Sequence, residues 1–242
     1  RISSELVRIS YKTFLKKNNN FLGEEKMKKS LIILIMVMVF GSTVSVHALL
    51  IDRGGGLIYD DVLDITWLQD ASYAQTSGYD ADGWMAWSNA VTWAENLSYY
   101  DSVRDYTYTD WRLPHALPVN GVSYDFTYSN DGSTDVGINI SSPNSELGYM
   151  YYTELGNSAG SPSAPNAGPF INLQSNWYWA SPEGLDPGTG VIFAFHDGRQ
   201  LFNDALIPEY AWAVRDGDVV PEPATLLLLG LGGLALRRKR RA

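Results

Sequence analysis

Leu57-Ile58-Tyr59-Asp60-Asp61-Val62-Leu63-Asp64-Ile65-Thr66-Trp67-Leu68 is the stretch on which the reading of the fold turns. Its flanks, 57–61 and 63–68, are rich in β-branched, aromatic and aliphatic residues, and acidic turn residues separate them. They are expected to pair as a β-hairpin. Further along, Asp82-Gly83 precedes Trp84, Trp87, Val91, Ala94 and Leu97, an apolar stripe close to the 3.6-residue period, with Ser88, Asn89, Thr92, Glu95 and Asn96 opposite. That pattern predicts an amphipathic helix capped by Asp82. A second helix is expected over 144–155, where Leu147, Met150, Tyr151 and Leu155 share a face. Strand-like runs return at Trp177-Tyr178-Trp179-Ala180, Val191-Ile192-Phe193-Ala194-Phe195 and Tyr210-Ala211-Trp212-Ala213-Val214. Between these elements, 119–142 and 156–169 are rich in turn formers and read as long surface loops. Strands at both ends flanking two helices indicate one α+β domain.

Composition narrows the chemistry. The 242 residues include no cysteine, which excludes disulfides, Cys-ligated zinc, Fe–S clusters and thiol catalysis. Charge is segregated along the chain. Residues 49–220 hold five arginines, no lysine and 23 acids, a net of −18, together with all eight tryptophans. Such a surface repels a polyphosphate duplex, so no nucleic acid is expected as a partner. Cations or neutral polymers suit it better.

The two ends read as addresses. Met27-Lys28-Lys29, the apolar run from Leu31 to Val39 and the small-x-small ending Val46-His47-Ala48 have the layout of a Sec signal peptide over 27–48, cleaved after Ala48. Residues 1–26 show no apolar period and are read as translated upstream sequence, because Gly23-Glu24-Glu25-Lys26 requires purine-rich codons like those of a ribosome-binding site. At the other end, 221–242 contain Pro221-Glu222-Pro223, an apolar run from Leu226 to Leu236, and Arg237-Arg238-Lys239-Arg240-Arg241. A helix over 224–236 would span only about 20 Å at 1.5 Å per residue, enough for temporary retention in the inner membrane with the basic cluster on the cytoplasmic side. The two prolines keep Glu222 extended, where a membrane-embedded peptidase can engage it. All three parts resemble the PEP-CTERM sorting signal. The resemblance implies passage through the Sec translocon, processing by an exosortase, and a place at the surface or in the extracellular matrix of a Gram-negative bacterium.

Within 51–216 a second resemblance is carried by Leu57-Ile58-Tyr59-Asp60, Thr66-Trp67-Leu68, Trp93-Ala94-Glu95-Asn96-Leu97, Asp110-Trp111-Arg112-Leu113-Pro114, Glu146-Leu147-Gly148, Tyr178-Trp179-Ala180-Ser181, Asp197-Gly198 and Ala213-Val214-Arg215, in that order. Together they resemble the C-terminal domain family of the Legionella collagen-like adhesin. That resemblance implies a fold like that of C-type lectins, with terminal strands paired and a long loop region carrying binding. His115-Ala116-Leu117-Pro118 and the insertion before Glu146 depart from the family pattern.

Individual clusters carry further expectations. In Asp110-Trp111-Arg112-Leu113-Pro114, the arginine is expected to pair with an acid while Trp111 and Leu113 are buried, a structural junction. Asn130, Asp131 and Asp135 offer oxygens around Gly132 and are the candidate calcium ligands, calcium being the one cofactor this chemistry suits. Asp80 and Asp82 are a lesser candidate, since Asp82 is taken as a cap. Trp177, Tyr178 and Trp179 are the candidate glycan-stacking residues, with burial as the competing role. His115 and His196 are too far apart in sequence for a His-rich zinc site to be expected. No catalytic motif is present, so catalytic residues are assigned to none. The expected function is non-enzymatic binding or adhesion within exopolysaccharide or biofilm. A glycan-cleaving or glycan-modifying enzyme using paired carboxylates and a passive structural matrix protein are the alternatives.

Overall fold

A computed structural model of the chain describes residues 50–160, 164–183 and 188–219. The upstream residues 1–26, the signal segment 27–48 with Ala48, and the tail 221–242 with Pro221, Glu222 and Pro223 lie outside the described residues. Among the described residues no helix is long and apolar enough to cross a membrane.

The expected hairpin forms. Strands β1 (Leu50–Gly54), β2 (Leu57–Asp60) and β3 (Ile65–Leu68) make an antiparallel meander, with Ile58 opposite Trp67. Asp60 fixes the β2–β3 turn by accepting the Val62 and Leu63 amides at 3.0 and 2.9 Å. A short helix α1 (Tyr73–Thr76) follows, then β4 (Trp84–Met85) and helix α2 (Trp87–Glu95). Strands β5 (Tyr99–Asp101) and β6 (Tyr106–Tyr108) form a separate two-stranded ribbon. The long loop contributes β7 (Tyr128–Ser129) and β8 (Val136–Gly137). Helix α3 (Glu146–Tyr149), capped by the Ser145 hydroxyl, continues as a π-turn over Met150–Glu154. Then come β9 (Trp177–Glu183), β10 (Thr189–Ala194), β11 (Gln200–Asp204), β12 (Glu209–Tyr210) and β13 (Val214–Asp216).

The last strand returns to the first sheet. The order β1-β2-β3-β13 puts Val214 opposite Trp67, so the two ends of the domain pair. The second sheet runs β4-β12-β9-β10-β11-β8-β7. The outcome is mostly β-sheet with few helices, an α+β domain.

Two expectations about elements are corrected. The first helix does not begin after Asp82: Ala86 precedes its first turn, and the Asp82 carboxylate accepts the Trp84 amide at 3.0 Å instead. Trp84 and Met85 pair with Tyr210 and Glu209, because an edge strand gains ladder hydrogen bonds that another helical turn cannot offer. The buried face of α2 is accordingly Ala90, Trp93 and Ala94, with Leu97 just beyond it, and Trp84 faces outward. Nor is 210–214 one strand: Tyr210 pairs in parallel with Tyr178 in the second sheet, Val214 pairs with Trp67 in the first, and Ala211-Trp212-Ala213 cross between them.

Trp212 makes that crossing possible. Its ring lies 4.7 Å from Trp67, 4.6 Å from Phe170 and 6.0 Å from Phe195, and its indole N–H donates to Leu68 O at 2.7 Å. The Ala213 carbonyl accepts the Leu68 amide at 3.1 Å, completing a reciprocal clasp. Buried Trp179, Trp111 and half-buried Trp87 likewise donate to the carbonyls of Met85, Tyr108 and Ala180. An aromatic-rich core therefore also carries polar links between segments. Trp212→Phe, which orphans the Leu68 carbonyl, is expected to cost about 1–3 kcal/mol in urea unfolding. Trp212→Ala should cost about 3–5 kcal/mol.

Candidate functional site

Asp110-Trp111-Arg112-Leu113-Pro114 becomes a junction between distant segments. The Arg112 guanidinium binds Glu146 with two bonds of 2.8 and 2.9 Å and Asp216 with two of 3.0 and 2.6 Å. Its backbone pairs in both directions with Val214 at 2.8 and 2.9 Å. Burial works against the Arg112 charge, and the two carboxylates outweigh it and hold the guanidinium protonated. Asp110 receives two bonds from Arg215, which keeps its carboxyl below the ordinary range. Trp111 and Leu113 are buried, and the Pro114 carbonyl accepts the Ser181 amide at 2.8 Å. His115 donates its own amide to Glu146. Burial, then the neighbouring Arg112 charge, push the His115 imidazole down.

Each of the candidate calcium ligands is engaged within the loop itself. Asp135 is 1% exposed, and its two carboxylate oxygens accept the Val119 and Asp125 amides, each at 2.7 Å. Asp131 caps a turn through the Ser133 amide, and the Asn130 carbonyl accepts the Asn139 side chain. These oxygens accept donors that a folded loop must satisfy. Among the described residues, no group of three or more His, Cys, Asp or Glu is placed to hold a metal ion.

The three candidate stacking residues at 177–179 differ in exposure. Tyr178 and Trp179 are fully buried, because β9 lies between β12 and β10 and both of its faces are covered. Half-buried Trp177 stands edge-on to His196 at 5.3 Å.

Asp135 holds the long loop in shape. Around it, the Tyr124 hydroxyl donates to Ala116 O at 2.9 Å and Thr134 donates to Thr127 O at 2.6 Å. Gly132 adopts φ +74°, where an added Cβ would lie 2.0 Å from the Asn139 carbonyl oxygen. On this fixed backbone three rings assemble. Tyr124 and Phe126 are stacked at 6.1 Å with a 25° interplanar angle, and Phe202 of β11 closes on Phe126 at 4.8 Å and on Tyr124 at 6.0 Å. Phe126 remains 50% exposed. The sequence reading missed this platform. Its signal was the alternation Tyr124-Asp125-Phe126-Thr127-Tyr128 inside a stretch otherwise read as polar loop.

A cavity of about 190 Å³ lies elsewhere, lined by Gly56, Leu68, Asp70, Tyr73, Tyr99 and Ile171 with Gln69. Asp70 is engaged there by Ser72, Thr76 and Asn172.

Two carboxyls stand apart from both features. Burial, then the nearby Asp60 and Asp61, push Glu154 up to about 7. Burial pushes Glu209 up to about 7, opposed by its Asn203 partner. Buried Asp60 is raised as well, chiefly by burial.

Residues 219–241 match the PEP-CTERM protein-sorting motif. The motif marks an exosortase-targeted protein exported through the membrane and associated with the cell surface in Gram-negative bacteria. Comparison with curated proteins and with solved structures finds no match to the chain.

Removing the junction cation in Arg112→Met strands two carboxylates, one of them largely buried, and should cost about 2–4 kcal/mol by chemical denaturation. The raised carboxyls set a pH dependence. Glu154 and Glu209 bind protons more tightly folded than unfolded, so their contribution is full below about pH 4.5 and is lost as pH rises through about 7. His115, lowered in the fold, has the opposite slope below its ordinary range. Scanning calorimetry should show the melting temperature falling from pH 5.5 to pH 8, and the double variant Glu154→Gln, Glu209→Gln should flatten that fall.

Proposed function

We propose that the exported domain is a non-enzymatic module that binds neutral polysaccharide at the cell surface or in the surrounding matrix. The observation that carries this reading is the ring platform of Tyr124, Phe126 and Phe202, held half-exposed on a loop whose backbone is tied by Asp135. The stacked Tyr124 and Phe126 rings, with Phe202 edge-on to both, offer the C–H face of a pyranose an apolar contact, and pre-ordering lowers the entropy cost of binding.

Electrostatics supports a neutral ligand. All five arginines of the domain are paired with carboxylates: Arg53 with Asp218, Arg104 with Asp101, Arg112 with Glu146 and Asp216, Arg199 with Asp197, and Arg215 with Asp110. The net −18 of residues 49–220 repels acidic chains. The resemblance to the Legionella collagen-like adhesin C-terminal domains, and through it to C-type lectins, points to the same class of activity.

Affinity electrophoresis of the full chain in mild detergent tests the reading. Gels containing a neutral glucan or galactomannan should retard the protein, and alginate should not. Phe126→Ala should weaken retardation about tenfold, equivalent to about 1.4 kcal/mol, with the melting temperature preserved. Release of reducing ends would select an enzyme instead, and equal mobility in every gel would remove the binding reading.

A further inference from the structure

The folded domain has no slack before its sorting tail. Val219 is 3% exposed, and its carbonyl accepts the Tyr108 hydroxyl at 3.3 Å. Just before it, the Gly217 amide donates to Asp64 O and the Gly217 carbonyl accepts the Thr66 hydroxyl, both at 2.7 Å. Arg112 holds Asp216 and Arg53 holds Asp218.

Six residues, and so seven Cα-to-Cα steps, separate Val219 from Leu226, where the apolar run of the tail begins. Fully extended they reach about 25 Å. A domain of about 170 residues has a radius of gyration of about 15 Å and is therefore about 40 Å across. The tether is shorter than the body it holds. With the tail in the bilayer, the face around the chain exit turns toward the lipid.

That face includes the β5–β6 ribbon. Tyr108 of β6 holds Val219, and in the ribbon turn Arg104 donates to Arg53 O at 2.8 Å while Arg53 pairs with Asp218. The ribbon tip exposes Val103 at 63%, Tyr100 at 57% and Tyr106 at 58%. An aliphatic apex between two tyrosines matches the apolar-and-polar character of the lipid headgroup region. Two of the domain's five arginines lie here, and they neutralise Asp218 and Asp101. Asp105, exposed in the same turn, accepts the Tyr100 hydroxyl at 2.9 Å, so the arginines lower the negative charge of the tip without cancelling it.

We propose that the tip of the β5–β6 ribbon, with Val103 flanked by Tyr100 and Tyr106, is a lipid-contact surface that rests on the outer face of the inner membrane while the sorting tail is still attached. The proposal rests on the tail being membrane-seated and is independent of polysaccharide binding.

The absence of cysteine allows single labels. Val103→Cys, and Leu206→Cys on the turn between β11 and β12 as a control 79% exposed, would each carry an environment-sensitive fluorophore in the full chain. Both would be reconstituted in phosphatidylethanolamine–phosphatidylglycerol vesicles containing headgroup-nitroxide lipid. Quenching at position 103 should be at least twofold that at 206, with unchanged melting temperatures. Proteolytic removal of the tail should abolish the difference. Co-flotation with vesicles but equal quenching at the two positions would overturn the lipid contact. Failure to float would overturn the membrane-seated tail and the proposal with it.

Discussion

The Arg112 guanidinium joins three segments that are far apart in sequence: the stretch after β6, helix α3 through Glu146, and the last strand through Asp216. Its backbone adds the pairing with Val214. In a domain with five arginines and 23 acids, positive charge is the scarce component, and it is concentrated where chain segments meet. A planar fork with five donors can satisfy two carboxylates at once, which an ammonium cannot do with the same geometry. The same logic ties Arg215 to Asp110 and Arg53 to Asp218, so three of the ion pairs fix the end of the domain.

Tryptophan provides the second kind of link. Trp212 fills the space where the chain changes sheets and also satisfies the Leu68 carbonyl; Trp179 does the same for Met85. Each ring removes apolar surface from water while its single donor specifies one position, so packing and register are fixed together. Four of the eight tryptophans, Trp87, Trp111, Trp179 and Trp212, make such a link, while Trp67 and Trp93 contribute through packing alone. Other aromatic rings, among them those of Phe126, Tyr128, Trp84, Tyr100 and Tyr106, are left at the surface.

Much of the architecture was legible in the sequence. The hairpin over 57–68 follows from local β-propensity and acidic turn chemistry, and the face shared by Leu147, Met150, Tyr151 and Leu155 follows from helical period; both are buried as that period requires. The Asp82 cap failed because Trp84 and Met85, just after it, serve as an edge strand once Glu209 and Tyr210 arrive beside them, Glu209 lying 124 positions after its partner Met85, a separation that no local pattern contains. Tyr178 alternates with its neighbours as an outward residue would, yet both faces of its strand are covered.

By itself the sequence determined the export address at the chain's end, the exclusion of thiol chemistry, the acidic balance of the domain and the existence of its regular elements. These depend on residue type, local period and short motifs, as the match over 219–241 illustrates. Only the tertiary structure decided which acids meet which arginines, that Asp135 accepts two backbone amides of the long loop, and that Tyr124 and Phe126 meet Phe202. Those outcomes depend on which distant segments come within a few ångströms. Burial and hydrogen-bond satisfaction select that arrangement over the whole chain at once, and no stretch of it carries the information alone.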